Sequence, residues 1–460
     1  PLPGLEPGGA GLTGAFANVF NCLNEPGGQH VPFNFGGMDV FVDLCHEVQT
    51  ALPGPDGSFL HIKPAAEATD PDDAFAELMG YFHVNGMHDY FAETHGYEHV
   101  DRSLYTLMNF QVNLMGAGWM AIDNAAYLPE GSMEQMGISL SYEEDLIVMG
   151  QGTDIDFGYD GDVIRHEYTH FAIGPDRFLG YRFDEYGVDD APISLHEGLA
   201  DYFPSSISGD PVLGKYSLGS HARNLTHFRK CPDDYMGESH HDGQIPSSAF
   251  WEIRSRIGSR ITDIIAFSAM FESGPQTGFQ QFGELALEAA EEHFPAQAGV
   301  VETVLQEHGM LDCRRVVPLP YGGTSGKQIM WPGTLSVGLP QFNKFVPAPL
   351  QFEIRMTGNA PLIIEADVAY AGMSGLFPQE GDPKVRLAVR RGQEVVWEYD
   401  PKTKMVKDAL VKWEKLSGDG YRWEVPLKAT EGETFFIQFV NYSYVDIGVN
   451  SVSHVVDGKE

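Results

Sequence analysis

The stretch Asp162-Val163-Ile164-Arg165-His166-Glu167-Tyr168-Thr169-His170 decides how the rest of this chain is read. Asp162 is a good N-cap and Gly174-Pro175 a good stop, so a helix is predicted between them. Four residues apart on a helix, His166 and His170 lie on one face, one turn above the other. Two imidazoles so placed can grip one zinc ion, with Glu167 beside them as a general base. A third ligand and a transition-state donor must come from elsewhere in the chain.

The next helical stretch, Ser194 to Phe203, supplies the third ligand as Glu197. The chain can loop round after His170 and present this second helix to the same ion. A catalytic zinc takes three protein ligands and keeps a fourth position for water. His196 adjoins Glu197, but successive helical residues point about 100° apart, so the two do not face one ion. Asp201 falls one turn after Glu197, where it can accept the free N–H of a ligating histidine and hold its tautomer. No third histidine follows in the H-E-x-x-H-x-x-G-x-x-H order, which disfavours that zinc class. A structural zinc site would want four ligands and no Glu167 beside them.

Working outward, residues 1–75 are rich in Gly and Pro, with short apolar runs at Asp39–Leu44 and Phe59–Ile62, and read as strands and loops. The start at Pro1-Leu2-Pro3-Gly4 reads as a processed product. From Asp73 the period turns helical, and its His83 and His88 are expected to pack rather than to ligate. Strands are predicted at Trp119–Ile122 and Leu146–Met149. Asp154, Asp156, Asp160 and Asp162 crowd one stretch without EF-hand spacing and are expected to serve turns and caps. Helices are predicted at about 247–257, 262–273, 278–293 and 297–308. Beyond about 318, short β-rich runs with turn signals suggest an antiparallel β-sandwich. Its Trp397, Trp413 and Trp423 are expected to be core residues.

The 460 residues allow a large core in two to three domains. Asp and Glu number 65 against 29 Lys and Arg, for a net charge of −36. That balance argues against nucleic acid or an anionic membrane as partner. No segment has the apolar length of a membrane span. The four cysteines fit no C-x-x-C pattern; Cys22 with Cys45 and Cys231 with Cys313 are the expected pairs, as in a secreted protein.

Several separate stretches, in order, resemble the fungalysin family of secreted zinc metallopeptidases, thermolysin relatives in the gluzincin group. They are Asn85-Gly86-Met87-His88-Asp89 with Gly96-Tyr97, Asn109-Phe110-Gln111-Val112-Asn113, Asn124-Ala125-Ala126-Tyr127, His166-Glu167-Tyr168-Thr169-His170, Glu197-Gly198-Leu199-Ala200-Asp201, and His240-His241-Asp242-Gly243-Gln244 with Phe250-Trp251-Glu252. The resemblance implies an α+β fold. A thermolysin-like two-lobed metallopeptidase, with a β-rich N-terminal lobe and a helical C-terminal lobe, would occupy 76–317. Residues 1–75 would be integral to it, and 318–460 would form the β-sandwich domain.

The implied activity is that of a secreted zinc endopeptidase acting on protein or peptide substrates. His166, His170 and Glu197 would bind one zinc ion, and Glu167 would pass a proton from water to the leaving amine. His240 would stabilise the oxyanion, since Gly243 lies three residues on, with His241 the alternative. Arg223 would brace the substrate carbonyl, and Asn124 and Ala125 would bind substrate backbone. Asp201 and Asp162 would support the ligands from behind, and Asp234 or Glu238 would orient His240. Leu199, Ser239 and Gln244 depart from the family pattern, and Pro246 interrupts an expected helix start. Thermolysin's double-calcium cluster is not reproduced after Asp201, although Ca2+ binding stays open. The alternative is an idle zinc protein whose C-terminal domain binds a surface or polysaccharide.

Overall fold

A computed structural model describes residues 2, 4–6, 11–35, 38–67, 69–132, 144–334, 344–371, 381–397, 399–400, 405–406, 410–411, 414–415 and 420–456. The fold mixes helices with several sheets, as an α+β protein does.

The first sheet is organised around β5 (Tyr105–Leu114), which changes partners halfway along. Its first half lies between β1 (Asn18–Leu23) and β8 (Leu146–Gly150), both parallel to it. Its second half lies between β3 (Met38–Leu44) and β6 (Trp119–Ala121), both antiparallel. Asn109 marks the switch, with φ at 59°. Asparagine tolerates that left-handed conformation better than most residues. Its side-chain amide donates to Asn21 Oδ1 at 2.8 Å, which fixes the kink. The hairpin strand β2 (His30–Phe35) extends β3, and β4 (His46–Val48) extends β1. Strand β7 (Ala125–Leu128) pairs antiparallel with β8 alone, so it is an edge among the described residues.

Helix α1 (Ala74–Asp89) starts at Asp73, whose carboxylate accepts from Phe75 N–H at 2.8 Å. It packs on α2 (Gly161–Ile173), the helix of the opening motif. Gly161 makes that approach close: an added Cβ would lie 2.4 Å from His83 Nε2. Burial, with Arg165 nearby, pushes the His83 imidazole down to about 3. His88 stacks on Phe16 and hydrogen-bonds Asp101 at 2.9 Å. Both histidines therefore pack, as expected.

The N-cap of α2 is Asp160, not the expected Asp162. Asp160 has the extended backbone of a cap, and its carboxylate accepts from Asp162 N–H at 3.1 Å. The same carboxylate takes the N–H and hydroxyl of Ser217, each at 2.9 Å, so a distant partner decides between two similar residues. Asp156 caps a short 3-10 turn, so this acidic stretch serves local turns. Of the two apolar runs expected to form strands and loops, Asp39–Leu44 falls in β3 and Phe59–Ile62 is a turn, closed by Ile62 N–H on Phe59 C=O at 3.1 Å. Pro53 and Pro64 flank it and limit pairing.

The remaining helices are α3 (Ala191–Ser208), α4 (Gln244–Ile257), α5 (Ser259–Glu272), α6 (Phe279–His293) and α7 (Ala298–Glu307). Pro246 falls in the first turn of α4, where no intrahelical N–H is required, so the helix begins across it rather than after it.

In the C-terminal region, Gln351–Arg355, Thr434–Asn441 and Val385–Arg391 form the centre of one largely antiparallel sheet. Ile447–Val455, Ala360–Tyr370 and Gly420–Ala429 form the centre of a second. Trp423 from the second sheet meets Phe439 from the first at 5.4 Å between ring centroids, so the faces pack together. Trp397 and Trp423 are both buried, as expected of core residues; Trp413 lies outside the described residues.

The chain divides into two compact units. One comprises Pro1–Asp176, Leu199–His227 and Phe250–Phe271; the other comprises Arg177–Gly198, Phe228–Ala249 and Glu272–Glu460. They are interleaved along the sequence, each drawing on three separate segments. Disulfides join Cys22 to Cys45 and Cys231 to Cys313, the two expected pairs. No helix among the described residues is long and apolar enough to cross a membrane.

Candidate metal centre

The helical period of α2 stacks His166 and His170, with Nε2 of one 3.0 Å from Nε2 of the other. Two nitrogens bound to one tetrahedral zinc at about 2.05 Å would stand roughly 3.3 Å apart. The ring planes are nearly perpendicular, at 89°. His166, Glu167 and His170 are all buried.

Asp201 of α3 stands behind His166, its Oδ1 3.0 Å from His166 Nδ1. An ionised carboxylate there accepts the Nδ1–H and leaves the Nε2 lone pair facing His170. Arg223 keeps Asp201 ionised, with Nε and Nη2 each 2.7 Å from a carboxylate oxygen. Burial works to raise the Asp201 carboxyl, but Arg223 and then His166 outweigh it and hold it at about 2. The guanidinium expected to brace a substrate carbonyl is thus placed on Asp201. Asp162 ion-pairs with Arg165 at 3.6 Å, a turn before His166.

Glu197 occurs one helical turn before Asp201 on the same helix. One atom from each of His166, His170 and Glu197 lies within 4.8 Å of the others, a group that could hold a metal ion. Two imidazoles and one carboxylate are the donor set of an open zinc site, so the residues fit that ion. Among the described residues no other group of His, Cys, Asp and Glu meets the same geometric test.

His240 and Glu197 approach through two glycines. An added Cβ on Gly198 would lie 2.4 Å from Gly243 C=O and 2.6 Å from Pro246 Cγ. One on Gly243 would lie 2.9 Å from Ser194 C=O. Glycine at both positions lets α3 press on the backbone that follows the short helix Ser239–Asp242. His240 Nε2 then stands 3.5 Å from a Glu197 oxygen, with the imidazole half exposed. Glu238 caps that short helix and accepts from His240 Nδ1 at 3.0 Å. Asp234, the other orienting candidate, is occupied by Arg229 and by Lys230 N–H. His241 turns instead to Asp242, at 3.1 Å.

Asn124 and Ala125 lie at the start of edge strand β7, which packs on α2. The Asn124 carbonyl accepts from Gly150 N–H at 2.9 Å. The Asp201–His166 contact follows from the helical spacing of Asp201 and Glu197, but the Arg223–Asp201 pair has no signal in the sequence, because a lone arginine can meet any acid. Comparison with family models and with curated proteins returns no match for this chain.

Proposed function

We propose that this chain is a secreted zinc-dependent endopeptidase of the fungalysin type, a two-lobed thermolysin relative carrying an additional β-rich region. The observation that carries this reading is the His166, His170 and Glu197 group, with Glu167 buried in the same helical turn as the histidines. These three residues would hold the ion. Bound zinc supplies Lewis acidity at a carbonyl oxygen and makes water more acidic.

The chain's own residues do the rest. Glu167 takes a proton from the attacking water and hands it to the leaving nitrogen. Glu238 accepts the Nδ1–H of a protonated His240, leaving its Nε2–H to donate to the oxygen on which negative charge develops. Asp201 and Arg223 hold His166 in one tautomer and orientation. The edge of β7 offers backbone groups to an extended peptide, which could add to it as a strand. Two disulfides fit an oxidising compartment.

The test combines zinc analysis with casein digestion, with and without a chelator, on the parent chain and on Glu167→Gln. The parent should bind one zinc and lose cleavage with chelator. Glu167→Gln should keep the zinc and lose hydrolysis; an active Glu167→Gln chain would sink the reading. Bound metal without any chelator-sensitive cleavage would favour an idle zinc protein instead.

A further inference from the structure

The segments leading to Glu197 and to His240 are each held by residues from beyond position 314. The first is the hairpin Arg182–Asp184 and Gly187–Asp189, which ends just before α3 and its Glu197. Arg315, buried, donates to Val188 C=O at 2.7 Å and to the Asp184 carboxylate. Gln438, also buried, donates from its amide to the carbonyls of Tyr186 and Ala348. Trp397 N–H donates to Glu185 C=O at 2.7 Å, and its indole N–H donates to Gln438 Oε1 at 2.6 Å. Gly187, at φ +119°, lets this turn lie against Pro347, 2.9 Å from where a Cβ would stand. Glu185, Tyr186 and Val188 are thus each bonded from the C-terminal region, and Gly187 lies against it.

The second segment runs from Pro232 to Glu238, the residue that orients His240. The Lys327 ammonium donates to the carbonyls of Asp233, at 2.5 Å, and Pro232, at 3.4 Å. Met330 N–H donates to Met236 C=O at 2.7 Å. Gly237, at φ +87°, brings its backbone against Met330 C=O, only 2.0 Å from where a Cβ would stand.

A tethered targeting module would be expected to touch the rest of the chain through exposed, polar and replaceable contacts. Here the hairpin before Glu197 is met by the buried side chains of Arg315, Gln438 and Trp397, and the segment before His240 by the half-buried Lys327 and the Met330 backbone; these contacts converge on the approaches to two site residues. We propose that the C-terminal β-rich region is a positioning part of the catalytic site. Arg315, Gln438 and Trp397 fix the approach of Glu197, and Lys327 and Met330 fix that of His240. The His240 half rests on the peptidase reading; the Glu197 half needs only the metal centre.

The test uses the full chain in three variants: Gln438→Leu, Lys327→Met and, as a control on an exposed ion pair of the same region, Arg391→Met. Zinc affinity is read by competition with a chromophoric chelator, and kcat and KM are read on a peptide. Gln438→Leu should weaken zinc binding about tenfold. Lys327→Met should leave zinc affinity and KM unchanged and lower kcat about tenfold. Arg391→Met should match the parent. Arg315→Lys, which keeps the charge but loses the forked geometry, replaces Gln438→Leu if that chain does not fold. Parent-like zinc affinity in the first variant together with parent-like kcat in the second would overturn the proposal. So would equal losses in Arg391→Met. If the parent cleaves no peptide, the peptidase reading falls, while the zinc titration still decides the Glu197 half.

Discussion

Arg223 and Asp201 form a two-pronged ion pair, 2.7 Å on each arm, with the Asp201 carboxylate fully buried. A buried carboxylate with one partner removed is costly, so the pair acts as a unit with the imidazole it faces. Arg223 thus reaches the metal centre through Asp201 and His166.

Asp201→Asn keeps the shape but removes the charge that holds the His166 N–H. Zinc affinity should fall roughly 10- to 100-fold, as losses behind a ligating histidine typically do. A chelator-competition titration checks this, and an affinity equal to the parent's would separate Asp201 from the metal.

Gly198→Ala would drive a methyl group into Gly243 C=O and Pro246, neither of which can swing aside. The expected destabilisation is about 1–3 kcal/mol, the usual range for overpacking. Thermal unfolding measures it, and an unchanged Tm would mean that the two segments separate without cost.

Glu77 gives a pH signature away from the metal. Burial pushes its carboxyl from 4.5 up to about 7, against the opposing hydrogen bonds from Thr50 and Ala51. Between those values the folded chain keeps a proton that the unfolded chain has lost. The stability contribution is therefore full below pH 4.5 and is lost as pH rises to about 7, by on the order of 3 kcal/mol. Glu77→Gln should flatten that slope in denaturant titrations across the window. A slope identical to the parent's would assign the dependence elsewhere.

Local chemistry makes much of this structure legible in the sequence. The α2 helix, its Gly174 stop and the strands at Trp119 and Leu146 follow from periodicity and turn residues, which act over a few positions. The choice of His240 over His241 is an expectation from the family resemblance, in which Gly243 lies three residues on. Other features depend on distant partners. Ser217 selects Asp160 over Asp162 as the cap, and Arg229 takes Asp234 out of contention beside His240. The interleaved units are invisible for the same reason: the chain passes from one to the other inside α3, at Gly198–Leu199, where no proline, polar run or composition change marks a boundary.

That crossing has a consequence for synthesis. A chain made from its N-terminus has every strand of the first sheet once residue 150 has emerged. Its unit still lacks Phe250–Phe271, and the other unit draws on residues as late as the 450s. Neither unit can finish folding before its later segments have emerged from the ribosome. Until those segments emerge the nascent protein carries incomplete apolar surfaces, a period in which chaperone binding has the most to protect.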